Sequence, residues 1–533
     1  MPELLVETRY GRLRGTLEDG LAVFRGVPYA EAPVGDRRFR APQPPEPWVT
    51  VRDATRFGPR SPQPPASVLE SIPGDPMEQS EDCLTLNIWT SAMEGEPRPV
   101  MVFVHGGGFL GGSSSVAVYH GAALARRGVV VVTLNYRLGV LGWLAHPDLH
   151  DAGAGGAAGN WGLLDQIAAL RFVRDHAAAF GGDPGNVTIF GESAGAMCVA
   201  ALLAVPEARR LFRRAIMQSG SAVALGMDAA SSTAEALAVE LGLGGVSRQS
   251  LAGQAVESLL AAQSAVVNRN GPSGLVFQPV VDGALLRRHP AAAIAGGSAA
   301  GIDLVVGTNR DEWAFFTFSA AASHEIDDDQ LRRFVAAQIR LSGLSDAVPA
   351  AELIDVYRTA RSERGDPVGP RDLHTAIGTD WVFRLPSMRL LELHARRGGP
   401  AYAYLFDWET PFGGGGLGAC HALELPFVFG TADNPFVALF AGTGPEAEAL
   451  SEAMQAAWVS FARTGDPGGG LGGRGAWKAY DTPRRATMRF GRVIELVDAP
   501  MEPERAYLGG RLGIYGEREA ISFDRVRDSA TGT

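Results

Sequence analysis

Short unbroken apolar runs punctuate the first two hundred residues: PVMVFVH from residue 99, GVVVVTLNYR at 128–137 and NVTIF at 186–190. Runs without polar alternation suit strands covered on both faces. Between the last two, GLLDQIAALRFVRDHAAAF sets Leu163, Ile167, Leu170 and Ala177 at helical spacing, and GGDP closes it. AGAMCVAALLA follows NVTIF as a second helix. Strand and helix in close alternation predict a parallel, helix-covered sheet, an α/β fold. Further strands are expected at DLVVGT (303–308) and AYAYLFDW (401–408).

Two Ala-rich stretches, around 225–300 and 320–395, read as helical excursions that wall a pocket. Residues 22–48 carry prolines that forbid helix, and their Phe24, Tyr29, Phe39 and Trp48 need burial, so a packed extended coil is expected. GDPGGGLGGRG at 465–475 reads as a flexible loop. A length of 533 residues would accommodate roughly three domains, but the spacing of the motifs described below argues for one unit over 1–533.

With 46% apolar and 20% charged residues the chain can bury a large core. Its net charge of −11 gives no reason to expect nucleic acid or an anionic membrane as partner, and favours a small neutral or apolar molecule. No run approaches the roughly 20 apolar residues of a membrane span, and MPELLVETRYGRLRGT lacks the basic-then-apolar order of a secretory leader. A cytoplasmic protein, monomeric or weakly dimeric, is expected. Cys83, Cys198 and Cys420 are too few and scattered for a disulfide framework or zinc site, and no cofactor or metal is expected.

The chemistry is concentrated in GESAG at 191–195, a G-x-S-x-G placed between a strand and a helix. Flanking glycines remove the Cβ atoms that would collide in a tight strand-to-helix turn, which holds Ser193 in a strained, exposed position. A serine hydroxyl needs a base within hydrogen-bond reach, and ten histidines are available. HGGGF at 105–109 directly follows a strand. Its consecutive glycines let bare N–H groups approach a substrate oxygen, so Gly107, Gly108 and Ala194 are candidates for an oxyanion hole, with His105 a structural residue of the loop.

Together with these motifs, GVPYAEAPVGDRRF, EDCLTLNIW, GNWGLLDQ, FGGDP, LFRRAIMQSGS, GTNRDE and HALELPFVFG, in order from residue 26 to about 430, resemble the type-B carboxylesterases, above all their bacterial para-nitrobenzyl esterase branch. The resemblance implies an α/β-hydrolase fold with a mostly parallel, doubly wound sheet. It further implies a Ser193, Glu312, His421 triad, with Asp311 the neighbouring competitor for the acid. Ser219 resembles a family serine that hydrogen-bonds near the triad, with a plain buried serine the alternative; Glu192 reads as a structural partner of local backbone or Arg groups, with tuning of the site the lesser alternative. The implied activity is hydrolysis of carboxylic esters with small to medium acyl groups. Carbamate or amide hydrolysis by the same triad is the alternative, followed by a non-catalytic binding protein of the same fold.

Three positions depart from the family pattern. Where secreted members pair the EDCL cysteine with an upstream cysteine, this chain aligns Ser61, so Cys83 is expected to be a free thiol. The residue after the family acid is usually glycine and here is Trp313. Cys420, beside His421, reads as a packing residue.

Overall fold

The computed structural model describes residues 3–65, 78–270, 275–321, 326–341, 348–472 and 476–509. Its strands are β1 (Leu4–Thr8), β2 (Gly11–Glu18), β3 (Leu21–Pro28), β4 (Arg52–Asp53), β5 (Thr85–Thr90), β6 (Arg98–Val104), β7 (Val130–Leu134), β8 (Gly182–Glu192), β9 (Arg214–Gln218), β10 (Leu225–Gly226), β11 (Val280–Val281), β12 (Asp303–Asn309), β13 (Ala401–Phe406), β14 (Ala486–Phe490) and β15 (Ile494–Asp498). All except the β10–β11 pair join one sheet in the order β1-β2-β3-β5-β7-β6-β8-β9-β12-β13-β14-β15, with β4 beside β2. From β7 to β14 every pairing is parallel. The flanking strands at both edges pair antiparallel, apart from the short β4, which runs parallel to β2.

The unbroken apolar runs form the centre of this sheet for a simple reason. Along β6, Val100, Val102 and Val104 enter one hydrophobic cluster while Met101 and Phe103 enter the cluster on the opposite face. A strand buried on both sides favours apolar residues at nearly every position, and the polar exceptions in this sheet, such as Asn87 and Thr133, are hydrogen-bonded to one another. The helices that cover it include α1 (Trp161–His176), α2 (Ala194–Ala204), α3 (Met227–Glu240), α4 (Val256–Asn270), α5 (Ala314–Ala321), α6 (Asp328–Leu341), α7 (Ala350–Arg364), α8 (Pro370–Thr379), α9 (Leu385–Ala395), α10 (Pro445–Thr464) and α11 (Glu502–Gly509).

The first excursion contains α3 and α4, and the second α6 to α9, with a core of its own around Leu331, Val335, Leu353, Tyr357, Leu373 and Trp381. Residues 271–274, 322–325 and 342–347 of the excursions, and 473–475 of the glycine loop, lie outside the described residues. The segment expected to be packed coil from residue 22 begins instead as strand β3, up to Pro28. Proline excludes helix without excluding an extended, hydrogen-bonded path, and only the part beyond Pro28 lacks strand. Phe24, Tyr29 and Phe39 are buried, whereas Trp48, also expected to be buried, is only half-buried against the core. Cys83 is free and buried, with Ser61 beside it, and burial pushes its thiol up to about 12.

Candidate active site

Four parallel strands, β6, β8, β9 and β12, end side by side, and the site is built from the residues at and just beyond their carboxyl ends, where open α/β sheets place their ligands. β8 ends at Glu192 and α2 starts at Ala194, so one residue makes the turn. That residue, Ser193, has φ +56° and ψ −125°, a conformation rarely held by a side-chain-bearing residue. The turn closes only because its neighbours are glycines. A Cβ on Gly195 would fall 2.0 Å from the Val104 carbonyl oxygen, and one on Gly191 2.6 Å from the Gly195 carbonyl carbon. The Ser193 N–H donates to Gln218 O at 2.8 Å, tying the elbow to β9.

The second glycine cluster leaves β6. Gly107 and Gly108 take φ values of +108° and +61°, and Gly107 O accepts from Leu110 and Gly111 N–H groups, folding the loop back on itself. A Cβ on Gly107 would lie 2.1 Å from Gly111 O. His105 anchors the loop base: its ring stacks on Tyr136 at 4.5 Å, and burial lowers its pKa to about 4, so it is neutral there. The N–H groups of Gly107, Gly108 and Ala194 donate to no protein acceptor among the described residues, and that of Ala194 belongs to the unpaired first turn of α2.

His421 is buried with its Nδ1 2.6 Å from Glu312 Oε2. The other oxygen of Glu312 accepts from the Asn309 N–H at 2.7 Å, which fixes the carboxylate plane. The competitor Asp311 turns away: its Oδ2 accepts from the Ala419 N–H and pairs with Arg310. Glu192 differs from its sequence reading. No Arg or backbone donor meets it among the described residues; its Oε1 lies 3.1 Å from His421 Nε2, on the side away from Glu312. Gly106 makes room, since a Cβ there would sit 2.7 Å from Glu192 Oε2 and 3.0 Å from Ser193 Cβ. Ser193 Oγ has no hydrogen bond among the described residues. Ser219 is buried just beyond the end of β9 with φ +53°, and its hydroxyl has no partner among the described residues, which agrees with the reading of it as a plain buried serine.

Three residues of the site escaped the sequence reading. Glu424, one turn beyond His421, is fully buried and accepts from Gln218 Nε2 at 3.0 Å and Asn309 Nδ2 at 2.7 Å. Asn309 also donates to Cys420 O at 2.7 Å, and Gln218 accepts from Trp458 Nε1. A signal existed: Gln218 and Asn309 are polar residues closing apolar strands whose ends face the site. Burial would by itself lower the pKa of His421, but the Glu192 and Glu312 carboxylates outweigh it and raise the imidazole to about 9. Burial pushes Glu192 up to about 8 against the pull of His421. Phe383, Phe316 and Phe315 surround the imidazole at ring distances of 4.8, 5.0 and 6.2 Å.

The model of the carboxylesterase family matches residues 2–505. The para-nitrobenzyl esterase of Bacillus subtilis is 39% identical over 95% of this chain and 99% of that protein. The phenmedipham hydrolase of Pseudarthrobacter oxydans is 38% identical over 87% and 90% of the two chains. A Geobacillus stearothermophilus carboxylesterase structure at pH 6.2 superposes with a TM-score of 0.81 at 42% identity, covering 94% of this chain and 99% of that one. Fold, motif order and these likenesses agree: the chain belongs to the carboxylesterase family, in the type-B group, and is a carboxylic ester hydrolase with the α/β-hydrolase fold.

Proposed function

We propose that this esterase works through a Ser193, His421, Glu312 triad and an acyl-enzyme, on esters of small to medium acyl groups. The observation that carries the reading is the 2.6 Å contact between His421 and Glu312 at the carboxyl end of the sheet, where the Ser193 elbow also lies. The Nδ1–H donated to Glu312 leaves Nε2 as the nitrogen able to take the Ser193 proton. As Ser193 Oγ bonds to the ester carbonyl carbon, its proton passes to His421, which then delivers it to the departing alcohol. Water, deprotonated by the same imidazole, attacks the acyl carbon, and the acid is released as the bond to Ser193 Oγ breaks and the imidazolium returns the proton to that oxygen. Gly107, Gly108 and Ala194 would donate to the oxyanion, each lowering the barrier by roughly 3 kcal/mol.

For Ser193 and Nε2 to engage, His421 must exchange its contact with Glu192 for one with the serine. Such tightening on substrate binding is common for catalytic hydrogen bonds. No helix among the described residues is long and apolar enough to cross a membrane, and a freely diffusing small-molecule ester is the substrate expected at this site.

Nitrophenyl esters of graded acyl length, assayed beside Ser193→Ala, test the reading. Turnover should fall steadily beyond medium acyl lengths, and the variant should lose about 10⁵-fold or more in kcat while keeping its unfolding midpoint. Retained turnover in a folded Ser193→Ala protein would remove the serine from its role. An ester compared with its matched anilide separates ester from amide hydrolysis, since the same acyl-enzyme would form from both.

A further inference from the structure

Trp313, directly after Glu312, occupies a seat that the rest of the fold supplies at a cost. Its indole lies against Gly378 of α8, where an added Cβ would fall 2.4 Å from the indole Cγ and 2.5 Å from Cδ1. Gly378 has no left-handed φ that would demand glycine, and glycine is a poor helix former, so the contact with the indole is what requires it. The Trp313 backbone N–H donates to Thr379 Oγ1 at 3.1 Å, while its ring Nε1 is buried with no acceptor among the described residues.

From this seat the indole reaches the neighbourhood of His421 through one intermediary. It packs on Phe316 at 5.3 Å and on Phe334 at 6.0 Å. Phe316 is 44% exposed, lies 5.0 Å from His421, and stacks on Phe383 at 5.8 Å with 15° between the ring planes. Phe383 belongs to a single π-helical turn, Asp380–Arg384, that directly continues α8 beyond Thr379. Trp313 thus braces the two nearer of the three rings around the imidazole, Phe316 by packing and Phe383 through the end of α8.

We propose that Trp313, seated on Gly378, is a positioning residue that sets substrate size in this esterase: it holds Phe316 over His421 and so restricts the ester group that can lie against that ring. The proposal rests on the triad reading. Its ligand is the acyl or alcohol portion of an uncharged ester, and its effect is to exclude bulk.

A cycle of Trp313→Ala, Gly378→Ala and the double variant tests it in two ways. Gly378→Ala should lower the thermal midpoint in the wild-type background, where the new methyl meets the indole. It should raise the midpoint in the Trp313→Ala background, where the methyl finds space and alanine favours the helix. The same sign in both backgrounds would overturn the seat. In kinetics with nitrophenyl acetate and nitrophenyl benzoate, Trp313→Ala should raise kcat/KM for benzoate relative to acetate about tenfold. The gain should lie mainly in KM, with kcat on acetate within about threefold of wild type. Trp313→Phe should fall between the two, and serves as the test if the alanine variant does not fold. An unchanged benzoate-to-acetate ratio, or an equal loss of kcat on both esters, would overturn the specificity role even with the seat intact. If the wild type turned over neither ester, the esterase reading and the specificity role would fall together, while the midpoint reversal would still stand.

Discussion

Glu192 is the residue whose position changes the chemistry most. Its carboxyl group and that of Glu312 flank the imidazole on opposite sides, and in their ionised forms both raise its pKa against the effect of burial. The neutral imidazole is the form that can accept from Ser193, so kcat/KM should rise with pH through the free-enzyme pKa of His421, above the ordinary histidine value. Glu192→Gln removes the leading negative neighbour and favours the neutral ring. The acid limb of the kcat/KM profile should therefore move to lower pH by about one unit or more. An unmoved limb would mean that Glu192 does not control the proton on His421. This dependence was not legible in the sequence, because nothing in GESAG says which way the residue before the serine turns. The proposed triad of Ser193, Glu312 and His421 could be picked out only through flanking motifs, since the histidine is one of ten and lies 109 residues from Glu312.

Apolar rhythm located most of the central strands, because burial on both faces favours apolar residues, but it missed β9, whose run is cut short by the buried Arg214 and Gln218. β6, β7, β8, β12 and β13 fall where the runs placed them, within a few residues. It could not reveal that β3 continues into a proline-rich segment, or that Asp380–Arg384 winds as a π-helical turn. That turn is fixed by a buried ion pair: Arg384 Nη2 donates to Asp380 Oδ2 at 2.6 Å, and the Tyr357 hydroxyl donates to the same oxygen at 2.6 Å. Both charged side chains are 4% exposed. Arg384→Met would leave Asp380 buried without its cation, and should cost about 3–5 kcal/mol in denaturant unfolding. Because Phe383 sits in the same turn, the variant should also raise KM for nitrophenyl esters. A loss below 1 kcal/mol would mean that the pair is solvated in solution.

Taken whole, one wide sheet gathers residues as distant in the chain as Gly107 and His421 at the carboxyl ends of its central strands, and we propose that the described residues form a single folding unit with two helical insertions. Activity and the bulk tryptophan signal should then be lost in one coincident urea transition, whereas an earlier loss of activity would show the excursions melting by themselves. No cluster of His, Cys, Asp or Glu with metal-binding geometry occurs among the described residues. Prolonged dialysis against EDTA should leave turnover unchanged, and a loss reversed by zinc would contradict the metal-free mechanism.

The central claim is that Ser193 carries the acyl group between two proton transfers through His421. Rapid mixing with a nitrophenyl ester, acid quenching and peptide mass analysis reads this directly. The predicted result is a burst of about one nitrophenol per chain, with the acyl mass on the peptide containing Ser193 and neither signal in Ser193→Ala. An acyl adduct on another residue, or a full burst from the alanine variant, would contradict it.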